Sequence, residues 1–208
     1  MSLTARGMHD ASEVLDAILY EDLGLSTGIN GDSRTYLAIG NDFDGAECYT
    51  AADFETSLKG RETEPFSLIC SCEFRDDGSD ANRDFIESLD GVSNEFADGV
   101  RICLEAHRDI EEGKVSDEAG RVLSPSGSLF SISLSASMGE SAPDKVIIGI
   151  QVAYETGRLE YCESASMPLA SIGIDDFGNP QKLKSCIIER LKEEGLLVED
   201  DHPVLSSP

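Results

Sequence analysis

The chain has 208 residues, and 41 Asp and Glu against 16 Lys and Arg leave a formal charge of −25 at neutral pH. That length suits one sizeable core, and that charge opposes direct binding to DNA, RNA or anionic lipid. Apolar runs such as 66–72 and 146–150 fall far short of the roughly 20 residues that cross a bilayer, and residues 1–10 lack the apolar stretch of a secretory signal, so the expectation is a cytoplasmic chain with no membrane association.

The acid is spread rather than tailed. Divided at residues 65 and 120, the chain carries 13, 15 and 13 acidic residues against 4, 5 and 7 basic ones. Even spreading predicts a solvated coat around the whole fold. Six cysteines would permit three disulfides, but a chain of this size needs none, and several sit where apolar residues belong; free thiols in a reducing compartment are expected.

In chain order, Asp10 ahead of Ala11-Ser12-Glu13 reads as a capping box for a helix of about 11–23, ended by Gly24. Residues 35–39 and 47–50 read as short strands flanking the turn-rich segment 40–45, which predicts a hairpin, and Thr50 caps a short helix through Leu58. Residues 66–74 alternate strictly, with Phe66, Leu68, Cys70, Cys72 and Phe74 on one face. Helices over 80–89 and 94–112 follow, the second with a stripe of Phe96, Val100, Cys103, Leu104 and His107 behind an Asn94 cap. The polar connector 116–127 contains Gly120, Pro125 and Gly127 and is the hinge candidate. Residues 128–138, 145–154 and 159–165 predict an antiparallel meander whose first strand turns its serines to water. Asn179-Pro180 starts a last helix, with Leu183, Ile187, Ile188 and Leu191 inward and Gly195 at its end.

Candidate chemistry is sparse. Asp42 and Asp44, in the glycine-flanked segment 40–45, and the pair Asp76 and Asp77 are the candidate binding carboxylates. The first loop lacks two principal ligands of a calcium loop, and Asp and Asn favour turns in any case. Asp175 and Asp176 invite the same reading and the same answer. Cys70 and Cys72 share a strand face, and Cys103 with His107 lies one helical turn apart; together they would complete a zinc site only if that helix packed on that strand, and the spacing is loose. His107 is the histidine inside an expected element, so nucleophilic or acid–base catalysis would have to use it. Phosphate-loop, dinucleotide and nucleophile-elbow motifs are all missing. No metal or cofactor is expected.

These patterns predict an α+β fold, a mainly antiparallel sheet of five or six strands with helices packed on one face, forming a single domain over 1–198 with a loose acidic tail at 199–208. The leading functional expectation is a non-catalytic acidic interaction protein that binds a basic protein partner, as an inhibitor, chaperone-like binder or nucleic-acid mimic. The alternatives are a small enzyme built around His107 with nearby Cys and carboxylates, or a housekeeping domain from an organism whose proteins are all acidic. Composition leaves the oligomeric state open.

Overall fold

The computed structural model describes residues 4–26, 32–40, 50–75, 80–138, 142–157 and 161–197. The first helix, α1 (Ala5–Ala17), begins earlier than the sequence pattern suggests. Thr4, not Asp10, is its cap, with the hydroxyl accepting from the Gly7 amide, and this earlier start lets Met8 join Ala11 and Leu15 in the core. It continues into one π-helical turn, Ile18–Asp22, closed by the Leu23 amide on the Ile18 carbonyl. With that wider turn Ile18, Leu19, Leu23 and Leu25 are all buried.

Five strands form one sheet in the order β1 (Asp32–Ile39), β2 (Phe66–Phe74), β3 (Leu129–Met138), β4 (Lys145–Glu155) and β5 (Cys162–Gly173), every neighbouring pair antiparallel. The turn and second strand of the hairpin expected within 35–50 fall on residues 41–49, outside the described residues. β1 pairs with β2, and the helix α2 (Ala51–Leu58), capped by Thr50 and Asp53 in a reciprocal box, lies in the connection. Residues 47–49 lie outside the described residues. β5 runs on to Gly173 past the expected end, through a register shift opposite Ile148 and Gly149 and with Pro168 in its middle.

Helices cover one face of this sheet. α3 (Asp80–Ser88) leads into α4 (Glu95–Glu111), which packs on β4 and β5; α1 packs on β2 and α2; after the short α5 (Ile174–Phe177), α6 (Pro180–Glu193) lies against β5 and α1. Strand alternation drives this layering. Phe66, Leu68, Cys70 and Cys72 of β2, Ile132, Leu134 and Ala136 of β3, and Val146, Ile148, Ile150 and Val152 of β4 join the helices' apolar stripes in one continuous core. The closest approach is at Gly99 of α4, where a Cβ would lie 2.0 Å from the Ala165 Cβ. On α4 the buried stripe is Phe96, Gly99, Val100, Cys103, Ala106, His107 and Ile110, with Leu104 only partly covered. The cap residues Asn94 and Asn179 hold as the sequence implies, accepting from the Ala97 and Lys182 amides.

Candidate functional surface

Asp42, Asp44, Asp76 and Asp77 lie outside the described residues. His107 is described, and it sits inside the core at 8% exposure. Its ring packs edge-on against Phe130 and Tyr154, each centroid 5.3 Å away. Nδ1 lies 3.4 Å from the Tyr154 hydroxyl and Nε2 lies 3.5 Å from the Glu111 carboxylate. A ring clamped between aromatics in this way is positioned by packing, and it offers no open side for a substrate.

Cys70, Cys72 and Cys103 are equally enclosed. Cys70 and Cys72 lie under α1 and the π turn, with the Cys70 thiol 3.7 Å from the Ser12 carbonyl, whereas Cys103 lies under α4 with its thiol 3.4 Å from the Glu163 carbonyl. The two halves of a four-ligand set therefore sit beneath different helices, and no group of three or more His, Cys, Asp or Glu gathers as a metal site among the described residues. Burial pushes the Cys72 and Cys103 thiols up to about 11, and Cys70 higher still. At neutral pH they stay protonated and weakly nucleophilic.

Concavities open elsewhere. One of about 370 Å³ lies between the connector and the turn after β4, lined by Asp117, Arg121, Leu123, Ser126, Thr156 and Gly157. Asp117 faces Arg121 at 2.6 Å, and that residue's amide and guanidinium hold its carboxyl below the usual range. The two charges of that lining thus pair with each other. Another of about 670 Å³, between α1 and α2, is lined by Thr4, Arg6, His9, Asp10 and Glu55. The hydroxyl in the second, that of Thr4, is engaged as the cap of α1.

What the structure does organise is charge. The face of the sheet away from the helices is built from alternate strand positions: Ser67, Ile69, Ser71 and Glu73 on β2, Ser131, Ser133, Ser135 and Ser137 on β3, Ile147, Gly149, Gln151 and Ala153 between Lys145 and Glu155 on β4. β1 adds Arg34, Tyr36 and Ala38, and β5 adds Ser164, Ser166, Pro168 and Ser171. The charged residues at these positions are Arg34, Glu73, Lys145 and Glu155, with Asp32 opposite Glu73 at the start of β1, two basic and three acidic, and Arg34 pairs with Glu73 at 3.4 Å. The expected even coat is thus interrupted by a sparsely charged, serine-rich face.

The acid concentrates on the helical side. Along the solvent face of α4 and its C-cap, Glu95, Asp98, Ile102, Glu105, Asp109 and Glu112 recur at spacings of three and four, which places them in one line along the helix. Ile102, in the middle of that line, is 51% exposed. Part of the line is compensated: Arg101, whose guanidinium also donates to the Leu89 and Val92 carbonyls, pairs with Asp98, and Lys114 pairs with Asp109 and Glu112. Sequence reading followed the buried stripe of this helix and passed over its acidic one, although the same period reveals both. No family model, curated protein or solved structure matches the chain.

Proposed function

We propose that the chain is a non-catalytic interaction protein that docks a basic protein partner on its helical side, as an inhibitor, chaperone-like binder or nucleic-acid mimic would. The observation that carries this reading is the acidic line along α4 with Ile102 exposed at its centre. A row of carboxylates steers a cationic surface by long-range attraction, and an apolar residue among them supplies contact area that charge alone does not. The enclosed positions of His107 and Cys103 take weight from the enzyme alternative. Cys70, Cys72, Cys103, Cys162 and Cys186 are free thiols, and no described helix is long and apolar enough to cross a membrane; both accord with work in the cytoplasm.

Affinity capture from the source extract at low and raised salt tests the proposal. A basic partner is retained at low salt and released as salt shortens the reach of the charges to about 8 Å. The double variant Glu95→Lys/Glu105→Lys weakens capture by about tenfold or more, while Ile147→Glu on the sheet face leaves it unchanged. Capture that ignores both salt and the α4 substitutions would overturn the reading.

A further inference from the structure

We propose that the serine-rich, nearly uncharged face of the sheet is the seat of a second copy of this chain, stacked face to face about a two-fold axis. Net charge supplies the first reason. Two molecules of −25 repel wherever their carboxylate-bearing surfaces meet, and the sheet face is nearly balanced, with Asp32, Glu73 and Glu155 against Arg34 and Lys145. Stacking on it also turns the two acidic helical layers outward, on opposite sides of the pair. A basic partner gains little from this face, whose acidic residues exceed its basic ones by one.

The arrangement of side chains along β4 supplies the second reason. This strand has Lys145 at one end and Glu155 at the other, both on the open face, with Ile147, Gly149, Gln151 and Ala153 between them. A two-fold axis in the interface, crossing the strands at the height of Ile150, reverses β4 upon its counterpart. Lys145 then comes to the Glu155 end of the second copy, Ile147 to the small Ala153, and Gln151 to the space above Gly149. Charge opposes charge and large opposes small, which is the self-complementarity an isologous contact demands. The long end groups tolerate the offset of about 30° that stacked, twisted sheets adopt.

Area and solvation fit as well. Five strands at about 4.8 Å spacing and some eight residues at about 3.3 Å cover roughly 600 Å² per copy, or about 1,200 Å² in total, the lower end of stable interfaces. Ile147 is 45% exposed and has apolar surface to bury. Ser71 and Ser133, near the middle, are already shielded by their neighbours, so covering them displaces little water. This pairing leaves the α4 line accessible and holds whether or not a basic partner exists.

Sedimentation velocity of the full chain, from low to high micromolar concentration, tests it. The wild-type chain is expected to reach twice the mass of a single copy. Ile147→Glu and Lys145→Glu should each weaken association by about tenfold or more, and combining Lys145→Glu with Glu155→Lys should restore it to within about twofold. Glu105→Lys, on the opposite layer, should leave it unchanged. Circular dichroism and thermal unfolding establish that each variant is folded, and Ser135→Lys replaces Ile147→Glu should that variant fail to fold. A chain that stays monomeric at every concentration overturns the proposal, as does a dimer indifferent to these substitutions. So does a monomer in which the same substitutions abolish capture of a different protein, because that protein would then own the face.

Discussion

Gly99 shows how one missing atom sets the distance between two layers. Alanine is worth about 1 kcal/mol more than glycine in a helix interior, yet a Cβ here would lie 2.0 Å from the Cβ of Ala165 and force α4 off the sheet. Overpacking of this kind costs about 1–3 kcal/mol. Gly99→Ala should therefore destabilise the fold by about 1–2 kcal/mol, read as a lower unfolding midpoint, while the same change combined with Ala165→Gly recovers most of the loss. Asp16 makes the opposite case. Its Oδ1 is buried without a hydrogen-bond partner, and burial lifts the carboxyl above its ordinary value, Glu13 adding to the rise and the Cys70 thiol opposing it. A raised folded value means that the native state favours the protonated acid. Stability is fullest below the ordinary carboxylate range and is lost as pH rises through the raised value. Asp16→Asn should stabilise the protein at neutral pH by about 1 kcal/mol and flatten that part of the pH profile, measured by urea titration at several pH values. Neither residue stood out in the sequence. A glycine inside a helical pattern and an acid on an amphipathic helix are commonplace until the facing layer is known.

Among the elements, strands and caps were the legible part. β2 and β3 alternate over eight or more residues, and Asn94, Asn179 and Thr50 are side chains whose chemistry works locally, so their positions follow from sequence alone. Pairing partners were not local. Residues 35–39 pair with 66–70 across a helix, a partner that no local turn signal names. The end of β5 was lost because its Ser, Ala and Pro residues lack the β-branched signature, although the partner strand holds them in register. Asn94 also does what a cap alone would not, its amide donating to the Glu194 carbonyl at the end of α6. Asn94→Ala should cost about 1–2 kcal/mol, more than its capping role alone, and Asn94→Asp should recover the cap without that donor. Chemical denaturation of the two variants separates the contributions.

At the scale of the whole molecule, a charge of −25 acts on folding and on association with opposite sign. Screening relieves the self-repulsion of the compact state, so added salt should raise the unfolding temperature of the isolated protein over the same range in which it strips away a basic partner. Differential scanning calorimetry at several salt concentrations checks the first half. Composition revealed the size of this charge. It could not reveal the sidedness, which depends on alternate strand positions that spend their polarity on serine and on a helix that lines its carboxylates along one flank.

Pro168 and the register shift opposite it have a consequence for how such sheets grow. A terminal strand of twelve residues is long enough to recruit another chain edge to edge, and repeated recruitment makes filaments. The proline ring withholds a donor halfway along, and the extra residue at the shift bends the ladder out of step, so a recruited strand would lose its bonds at the midpoint. Concentrated solutions should accordingly stay clear of fibrils seeded from this border, and Pro168→Val should bring them on.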